Sequence, residues 1–117
     1  MIPKIIHHVW VTDNFYKYPE LPRSWKKLNP DYQHFFWFYQ EIYSHRHKLP
    51  EELSENAKRI LGMRDIFFIL KSEVLRHEVL RIFGGIYADY DMECLKNFDP
   101  LLGEECFVGI ESKDGYI

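Results

Sequence analysis

The stretch Gly84-Gly85-Ile86-Tyr87-Ala88-Asp89-Tyr90-Asp91 is the part of this sequence that says most about its architecture. Its two glycines end a helical pattern, because glycine readily takes the left-handed conformation that closes many helices. The apolar triplet at residues 86–88 is typical of a short strand, and an aspartate follows it directly. In open α/β sheets, ligands bind where such strands end. The stretch therefore predicts a helix, a strand and a binding site in succession.

Three helices are predicted upstream of that stretch. Apolar residues at helical spacing indicate a long helix over residues 64–83. A helix over residues 23–28 is opened by Pro22, and another over residues 50–61 is ended by Gly62. Each is expected to bury one apolar face.

The remaining segments predict the strands of a sheet. Residues 5–11 and 32–39 are rich in β-branched and aromatic side chains, and the second run is typical of a strand covered on both faces. Residues 40–48 are expected to be helical or irregular. Residues 92–95 are expected to continue the strand after the acids, and residues 106–110 to form a last strand. Strands that alternate with helices predict an α/β fold with a mostly parallel sheet.

Composition and charge set the broad class of protein. With 117 residues, 46% of them apolar and 17% aromatic, the chain is expected to fold as one soluble domain over residues 1–117. A net charge of -3 leaves no overall basic field, so nucleic acid is not expected as a partner. No apolar run is long enough to span a bilayer, and the N-terminus lacks a leader pattern. Cys94 and Cys106 fit free thiols in a reducing cytoplasm. The aromatic content also fits a homo-oligomer that covers exposed surface.

Asp89 and Asp91 form a candidate metal site. Side chains at positions i and i+2 of an extended segment point to the same face, so both carboxylates would point the same way. Carboxylate oxygens suit Mg²⁺ or Mn²⁺, which usually fill their other positions with water and phosphate oxygens. Glu93 continues the same face and is a third candidate. The alternative is a solvated acidic strand face, which the position after an apolar strand disfavours.

Glu73 and Arg76 lie three residues apart on the long helix, so they are neighbours on one of its faces. Because the helix runs directly into the acidic stretch, the pair is expected to face the same pocket. There the arginine could orient a carboxylate or bind sugar hydroxyls and phosphate. The alternative is an ordinary surface ion pair, which stabilises a protein by well under 1 kcal/mol.

Trp10 lies near the end of the first predicted strand and is a candidate ring for stacking on a base, with a core tryptophan as the alternative. The histidines are not expected to bind a metal. The adjacent His7 and His8 point to opposite faces of a strand, and His45 and His47 do not share a helical face.

Three blocks of the sequence occur together and in order. The first is Ile2-Pro3-Lys4-Ile5-Ile6-His7-His8-Val9-Trp10, and the second combines Pro22-Arg23-Ser24-Trp25 with Asn29-Pro30-Asp31-Tyr32. The third is Lys71-Ser72-Glu73-Val74-Leu75-Arg76-His77-Glu78-Val79-Leu80, followed by Phe83-Gly84-Gly85-Ile86-Tyr87-Ala88-Asp89-Tyr90-Asp91. Together they resemble the sugar-binding-region glycosyltransferases with a DXD motif. This group is similar to glycosyltransferase family 32 and includes mannosyltransferases, capsular polysaccharide transferases and, distantly, glucosylating clostridial toxins.

The resemblance implies a GT-A-like, Rossmann-like fold and a nucleotide-sugar donor such as a UDP- or GDP-sugar. It implies that Trp10 stacks on the nucleotide base with Val9 beside it. It also implies that Arg76 and Glu73 contact the donor sugar. The family usually has aspartate where this chain has Glu73.

For the reaction, the resemblance implies three catalytic residues: Asp89, Asp91 and Arg76. Asp91 would bind a Mn²⁺ or Mg²⁺ ion directly, whereas Asp89 would contact the ribose or the donor sugar and help to hold the metal. The acceptor would be a hydroxyl of a glycan, a polysaccharide or a lipid-linked molecule. Family resemblance further implies retention of the anomeric configuration.

Members of the family continue beyond the position that corresponds to Ile117, with segments that complete the metal site and the acceptor pocket. The expectation is therefore the donor-binding part of a glycosyltransferase. A truncated, noncatalytic module for nucleotide-sugar and metal, or a fragment of a longer glycosyltransferase, is the main alternative. A Mg²⁺-dependent phosphohydrolase is a further one.

Overall fold

A computed structural model of the chain describes residues 1–10, 19–38, 52–63 and 68–110. Strands, α-helices and one short 3-10 helix alternate in these ranges. In chain order they are β1 (Ile5–Trp10), α1 (Glu20–Leu28), β2 (Gln33–Phe38), α2 (Glu55–Leu61), α3 (Phe68–Phe83), β3 (Ile86–Tyr87) and the 3-10 helix Asp99–Leu101. Across the described ranges, no helix has the length and apolar character needed to cross a lipid bilayer.

The three strands form one parallel sheet in the order β2-β1-β3. β1 pairs with β2 along its whole length, from Ile5 opposite Gln33 to Trp10 opposite Phe38. β3 pairs with the middle of β1, where Ile6 lies opposite Ile86. The predicted α/β class and parallel sheet are confirmed, and the arrangement is consistent with a GT-A-like fold.

Apolar clusters cover both faces of the sheet, because successive side chains of β1 alternate between them. On one face, buried Val9 packs with residues of β2, α2 and α3. On the other face, buried Ile6 packs with Trp25 of α1, with Ile86 of β3 and with the segment that follows. The predicted covering of the aromatic strand on both faces is observed in part: Trp37 is buried in the first cluster, whereas the neighbouring Phe36 is half-buried and stacks on His8, on the other face of the sheet.

Two glycines with positive φ connect α3 to β3. Gly84 has φ 67° and Gly85 has φ 95°, a region that other residues adopt with strain. A Cβ atom on Gly85 would lie 2.9 Å from the Cβ of Ile5 and closer still to the Ile5 carbonyl oxygen. Glycine at position 85 therefore lets the chain that leaves α3 pass directly against β1.

Two predicted strand segments are wrong. Residues 92–95 do not extend the sheet, because their main chain bonds to α1 instead: Trp25 Nε1 donates to the Met92 carbonyl at 2.8 Å, and the Cys94 amide donates to Ser24 Oγ at 2.7 Å. Residues 106–110 form no strand either. Their apolar side chains are largely exposed, and no described strand pairs with them.

The helix boundaries also differ from the predicted ones. α1 begins at Glu20, three residues before the predicted start. α2 begins at Glu55, because the Ser54 side chain accepts a hydrogen bond from the Ala57 amide at 3.2 Å and so caps the helix there. The predicted segment 40–48 and positions 64–67 of the long helix lie outside the described residues.

Candidate functional site

The two aspartates lie in a tight turn just after β3. β3 ends at Tyr87, and the Ala88 amide donates to the His7 carbonyl at 3.1 Å, which keeps the chain on β1 for one residue more. The Met92 amide then donates to the Asp89 carbonyl at 3.1 Å and closes a turn over residues 89–92. The extended conformation expected through Asp91 is therefore wrong, because the turn replaces the strand. Both carboxylates remain exposed at the carboxyl end of β3.

Arg76 of α3 joins the helix to this turn. Its Nη2 lies 3.7 Å from Glu73 Oε1, and its Nη1 lies 4.0 Å from Asp89 Oδ1. The Glu73 and Asp89 side chains are each 55% exposed, so the ion pairs themselves stabilise the fold little. The predicted neighbourhood of Glu73 and Arg76 is observed, and the structure adds Asp89 to it.

Tyr87 also belongs to this group, and sequence reasoning did not single it out. The Arg76 guanidinium lies over the Tyr87 ring, 5.2 Å from its centroid. Burial, followed by the negative charge and hydrogen bonding of Asp89, raises the pKa of the Tyr87 phenol, so it stays protonated. The signal was available, because Tyr87 precedes Asp89 by two residues and alternation puts both on one face.

A groove of about 970 Å³ opens beside the turn. Arg76, Tyr87 and Asp89 form part of its wall, and the irregular segment 104–110 also lines it. Other predicted site residues lie outside this wall. These are Val9, Trp10, Glu73 and Asp91.

Trp10 approaches the turn from another side. Its ring packs on Tyr90, the residue between the two aspartates, with the ring centroids 5.4 Å apart. Trp10 is partly exposed, whereas the neighbouring Val9 is buried in the cluster between the sheet and α3. The turn thus contributes to the groove through Asp89 and contacts the Trp10 ring through Tyr90.

His7 and His8, which are not expected to bind a metal, lie among aromatic side chains of the core. Both side chains are fully buried. His7 Nε2 donates to the Gly84 carbonyl at 2.9 Å, and His7 Nδ1 accepts from Trp37 Nε1 at 3.3 Å, so both ring nitrogens are satisfied in one neutral tautomer. Burial lowers the pKa of His7 accordingly.

Asp89 and Asp91 are the residues of the turn that could hold a cation. Across the ranges that the structure describes, no group of three or more His, Cys, Asp or Glu side chains is arranged to bind a metal. Glu93, considered above as a third acid, is therefore not brought into such a group, since the turn ends the alternation that would have aligned it. Two exposed carboxylates leave most coordination positions open to water or phosphate, which is the pattern that suits Mg²⁺ and Mn²⁺.

Curated relatives of this chain are mannosyltransferases and a viral glycosyltransferase. Inositol phosphoceramide mannosyltransferase 3 of Schizosaccharomyces pombe is 30% identical over an alignment of 123 residues. The alignment covers 97% of this chain and 31% of the relative. Mannosyl phosphorylinositol ceramide synthase SUR1 of Saccharomyces cerevisiae is 30% identical over 118 residues, covering 92% of this chain and 27% of that protein. Uncharacterized glycosyltransferase L373 of Acanthamoeba polyphaga mimivirus is 30% identical over 110 residues, which cover 88% of this chain and 41% of the viral protein.

The chain thus spans about a third of the length of these relatives. No solved structure matches it. The model of the family described as "Glycosyltransferase sugar-binding region containing DXD motif" matches residues 17–108, a range that includes α3, β3 and the acidic turn. The chain therefore belongs to the family of glycosyltransferase sugar-binding regions that contain a DXD motif.

Proposed function

We propose that this chain takes part in the metal-dependent transfer of a sugar from a nucleotide-sugar donor to a hydroxyl acceptor. The observation that supports this most is the position of Asp89. It lies at the carboxyl end of a parallel strand, on the wall of the groove, within 4.0 Å of Arg76. Parallel sheets bind ligands at this edge, and an arginine next to an acid is suited to sugar hydroxyls and phosphate oxygens.

In this proposal, Asp91 holds a Mn²⁺ or Mg²⁺ ion directly and Asp89 helps to hold it while contacting the ribose or the donor sugar. The bound cation would supply positive charge to the nucleoside diphosphate as it leaves. Arg76 is held by its contacts with Tyr87 and Asp89, so its guanidinium is oriented before a donor arrives. Glu73 lies on the far side of Arg76. Because its side chain is longer than that of the aspartate usual in the family, it would reach a sugar hydroxyl from there.

The nucleotide would stack on Trp10, whose ring is already held against the turn by Tyr90. Val9 would contribute through its main chain, because its side chain is buried in the core. Trp10 and the turn would then contact two parts of one donor, the base and the diphosphate.

The names of the relatives suggest which substrates to try first. Mannosyl transfer to inositol phosphoceramide, the reaction in the name of the fission-yeast relative, combines a mannose donor with a lipid-linked acceptor. We therefore propose UDP- and GDP-linked mannose as first donors, and a lipid-linked or glycan hydroxyl as acceptor. Retention of the anomeric configuration is part of the same proposal.

Turnover of donor tests the proposal. Release of nucleoside diphosphate from each sugar nucleotide is measured with Mn²⁺ for the wild type, for Asp91→Ala and for Glu55→Gln. Glu55 is 91% exposed on α2, so its variant removes a carboxylate away from the site. We expect Mn²⁺-dependent turnover in the wild type and the control, and its loss in Asp91→Ala.

Three results would redirect the proposal. Full Mn²⁺-dependent turnover by Asp91→Ala would contradict the role of the turn. Donor binding in calorimetry without transfer to any acceptor would instead favour a binding module, the alternative considered from the sequence. Release of phosphate from nucleotides that carry no sugar would indicate a phosphohydrolase.

The broader expectations from the sequence stay predictions. These are a single domain over residues 1–117, a cytoplasmic location, a homo-oligomer and the lack of a nucleic-acid partner. A sedimentation series over protein concentration tests the oligomer directly.

A further inference from the structure

His8 is a fully buried histidine that contacts the acidic turn and has no role in the function proposed above. Its Nδ1 lies 3.0 Å from the Ala88 carbonyl, directly before Asp89. Its ring stacks on Phe36 at a centroid distance of 5.2 Å and meets the Tyr90 ring edge-on at 6.1 Å. One side chain of β1 thus contacts the residues on both sides of Asp89.

The tautomer of His8 follows from its surroundings. A carbonyl oxygen can only accept, so Nδ1 must carry the hydrogen and donate it to Ala88. His8 Nε2 is buried, and no group in the described residues forms a hydrogen bond with it. Burial lowers the pKa of His8 to about 4, so the ring is neutral at physiological pH. His8 is thus a fixed donor to the main-chain carbonyl directly before the turn.

The contacts of His8 extend, through Tyr90, to Trp10, the ring that is proposed to stack on the nucleotide base. Tyr90, which meets His8 on one side, packs against Trp10 on another. His7, the neighbour of His8, donates to the Gly84 carbonyl at the start of the same segment. The two histidines therefore fasten both ends of residues 84–88 to β1, and His8 is the one that holds the end nearest the acids.

We propose that His8 is a positioning residue for the acidic turn, acting through the Ala88 carbonyl and the Tyr90 ring to hold Asp89 and Trp10 in a fixed relation. The inference rests on the proposed function, because it gives His8 a role in presenting the same cation and nucleotide site. His8 itself touches neither ligand.

A matched control exists within the same sheet. His34 on β2 also stacks against Phe36, with the ring centroids 6.4 Å apart, and its Nε2 bonds to a main-chain carbonyl, that of Asn29, at 3.0 Å. Its second ring nitrogen is likewise buried without a hydrogen-bond partner in the described residues. His8→Phe and His34→Phe therefore make the same chemical change, but only the first removes a bond to the turn. His8→Asn is the rescue variant, because its amide nitrogen can replace Nδ1 as the donor.

Two readouts are needed, and the first requires no ligand. Native-state hydrogen exchange follows the Met92 amide, which is bonded to the Asp89 carbonyl and closes the turn. Calorimetry measures the binding of UDP and of GDP in the presence of Mn²⁺. For His8→Phe we expect faster Met92 exchange and weaker binding, each by about three- to tenfold, the change that one net hydrogen bond produces. His34→Phe should leave both values unchanged, and His8→Asn should recover most of the loss.

Equal Met92 exchange in His8→Phe and His34→Phe would overturn the proposal, as would loss of binding in His8→Asn equal to that in His8→Phe. If the wild type binds neither nucleotide with Mn²⁺, the proposed function fails. The exchange of the Met92 amide then still decides whether His8 holds the turn.

Discussion

Among single residues, Arg76 most directly connects the fold to the acidic turn. It is partly buried, at 31% exposure, and lies against a ring and two carboxylates. Exposed ion pairs of this kind contribute little stability, so a stability requirement does not account for the grouping of charges. A role in binding an anionic or hydroxyl-rich ligand accounts for it better.

His7 and His8 are residues that stabilise the fold only while neutral. Both are fully buried, and burial lowers the pKa of each, for His8 from 6.5 to about 4. Below pH 6.5 the unfolded chain binds protons at these positions and the folded chain does not. The free energy of unfolding is therefore fully retained above pH 6.5 and falls as the pH decreases toward 4.

We predict that the free energy of unfolding decreases between pH 7.5 and 5 by on the order of 2 kcal/mol from His8 alone. Denaturant unfolding at a series of pH values measures it. Two acids with partners, Asp31 and Glu78, also have lowered pKa values, but their contribution is lost only at lower pH. His8→Phe should flatten the decrease, and a curve identical to the wild type would contradict the assignment to His8.

Among the elements, the connection between α3 and β3 places the site. α3 brings Arg76 to the sheet, and the two glycines turn the chain so that β3 starts against Ile5 and Ile6 of β1. β3 itself has only two residues, so the position of the acidic turn depends strongly on this connection.

We predict that Gly85→Ala lowers the free energy of unfolding by about 2–4 kcal/mol. The new Cβ would meet the Ile5 main chain, and the positive φ of position 85 adds strain. Chemical denaturation followed by circular dichroism measures the loss.

Gly103→Ala is the matched control. A Cβ at position 103 meets nothing within 4 Å, so its free energy of unfolding should stay within about 0.5 kcal/mol of the wild type. Equal stability of the two variants would contradict the close approach of residue 85 to β1.

For the molecule as a whole, the α/β class, the parallel sheet and the helix before the acids could be predicted from the sequence. Local patterns determine these features: the apolar periodicity of α3, the two glycines and the aromatic run of β2. The grouping of Arg76 with Glu73 could also be predicted, because it lies within one helix.

Features that depend on tertiary partners could not be predicted in this way. Residues 106–110 have the composition of a strand, but no described strand pairs with them. Residues 92–95 are held by α1, through Trp25 and Ser24, and nothing local indicates such bonds. The same holds for the contact of His8 with the turn, since it joins separate elements.

The molecule presents a groove, an acidic turn proposed to bind a cation, and an aromatic ring around the end of one short strand. Calorimetric titration of UDP and GDP, with and without Mn²⁺, tests this central claim most directly when wild type, Asp91→Asn and Glu55→Gln are compared. The account predicts that Mn²⁺ strengthens nucleotide binding by about tenfold or more, ~1.4 kcal/mol, in the wild type and in Glu55→Gln, and not in Asp91→Asn. An equal effect of Mn²⁺ on all three proteins, or no effect on the wild type, would contradict it.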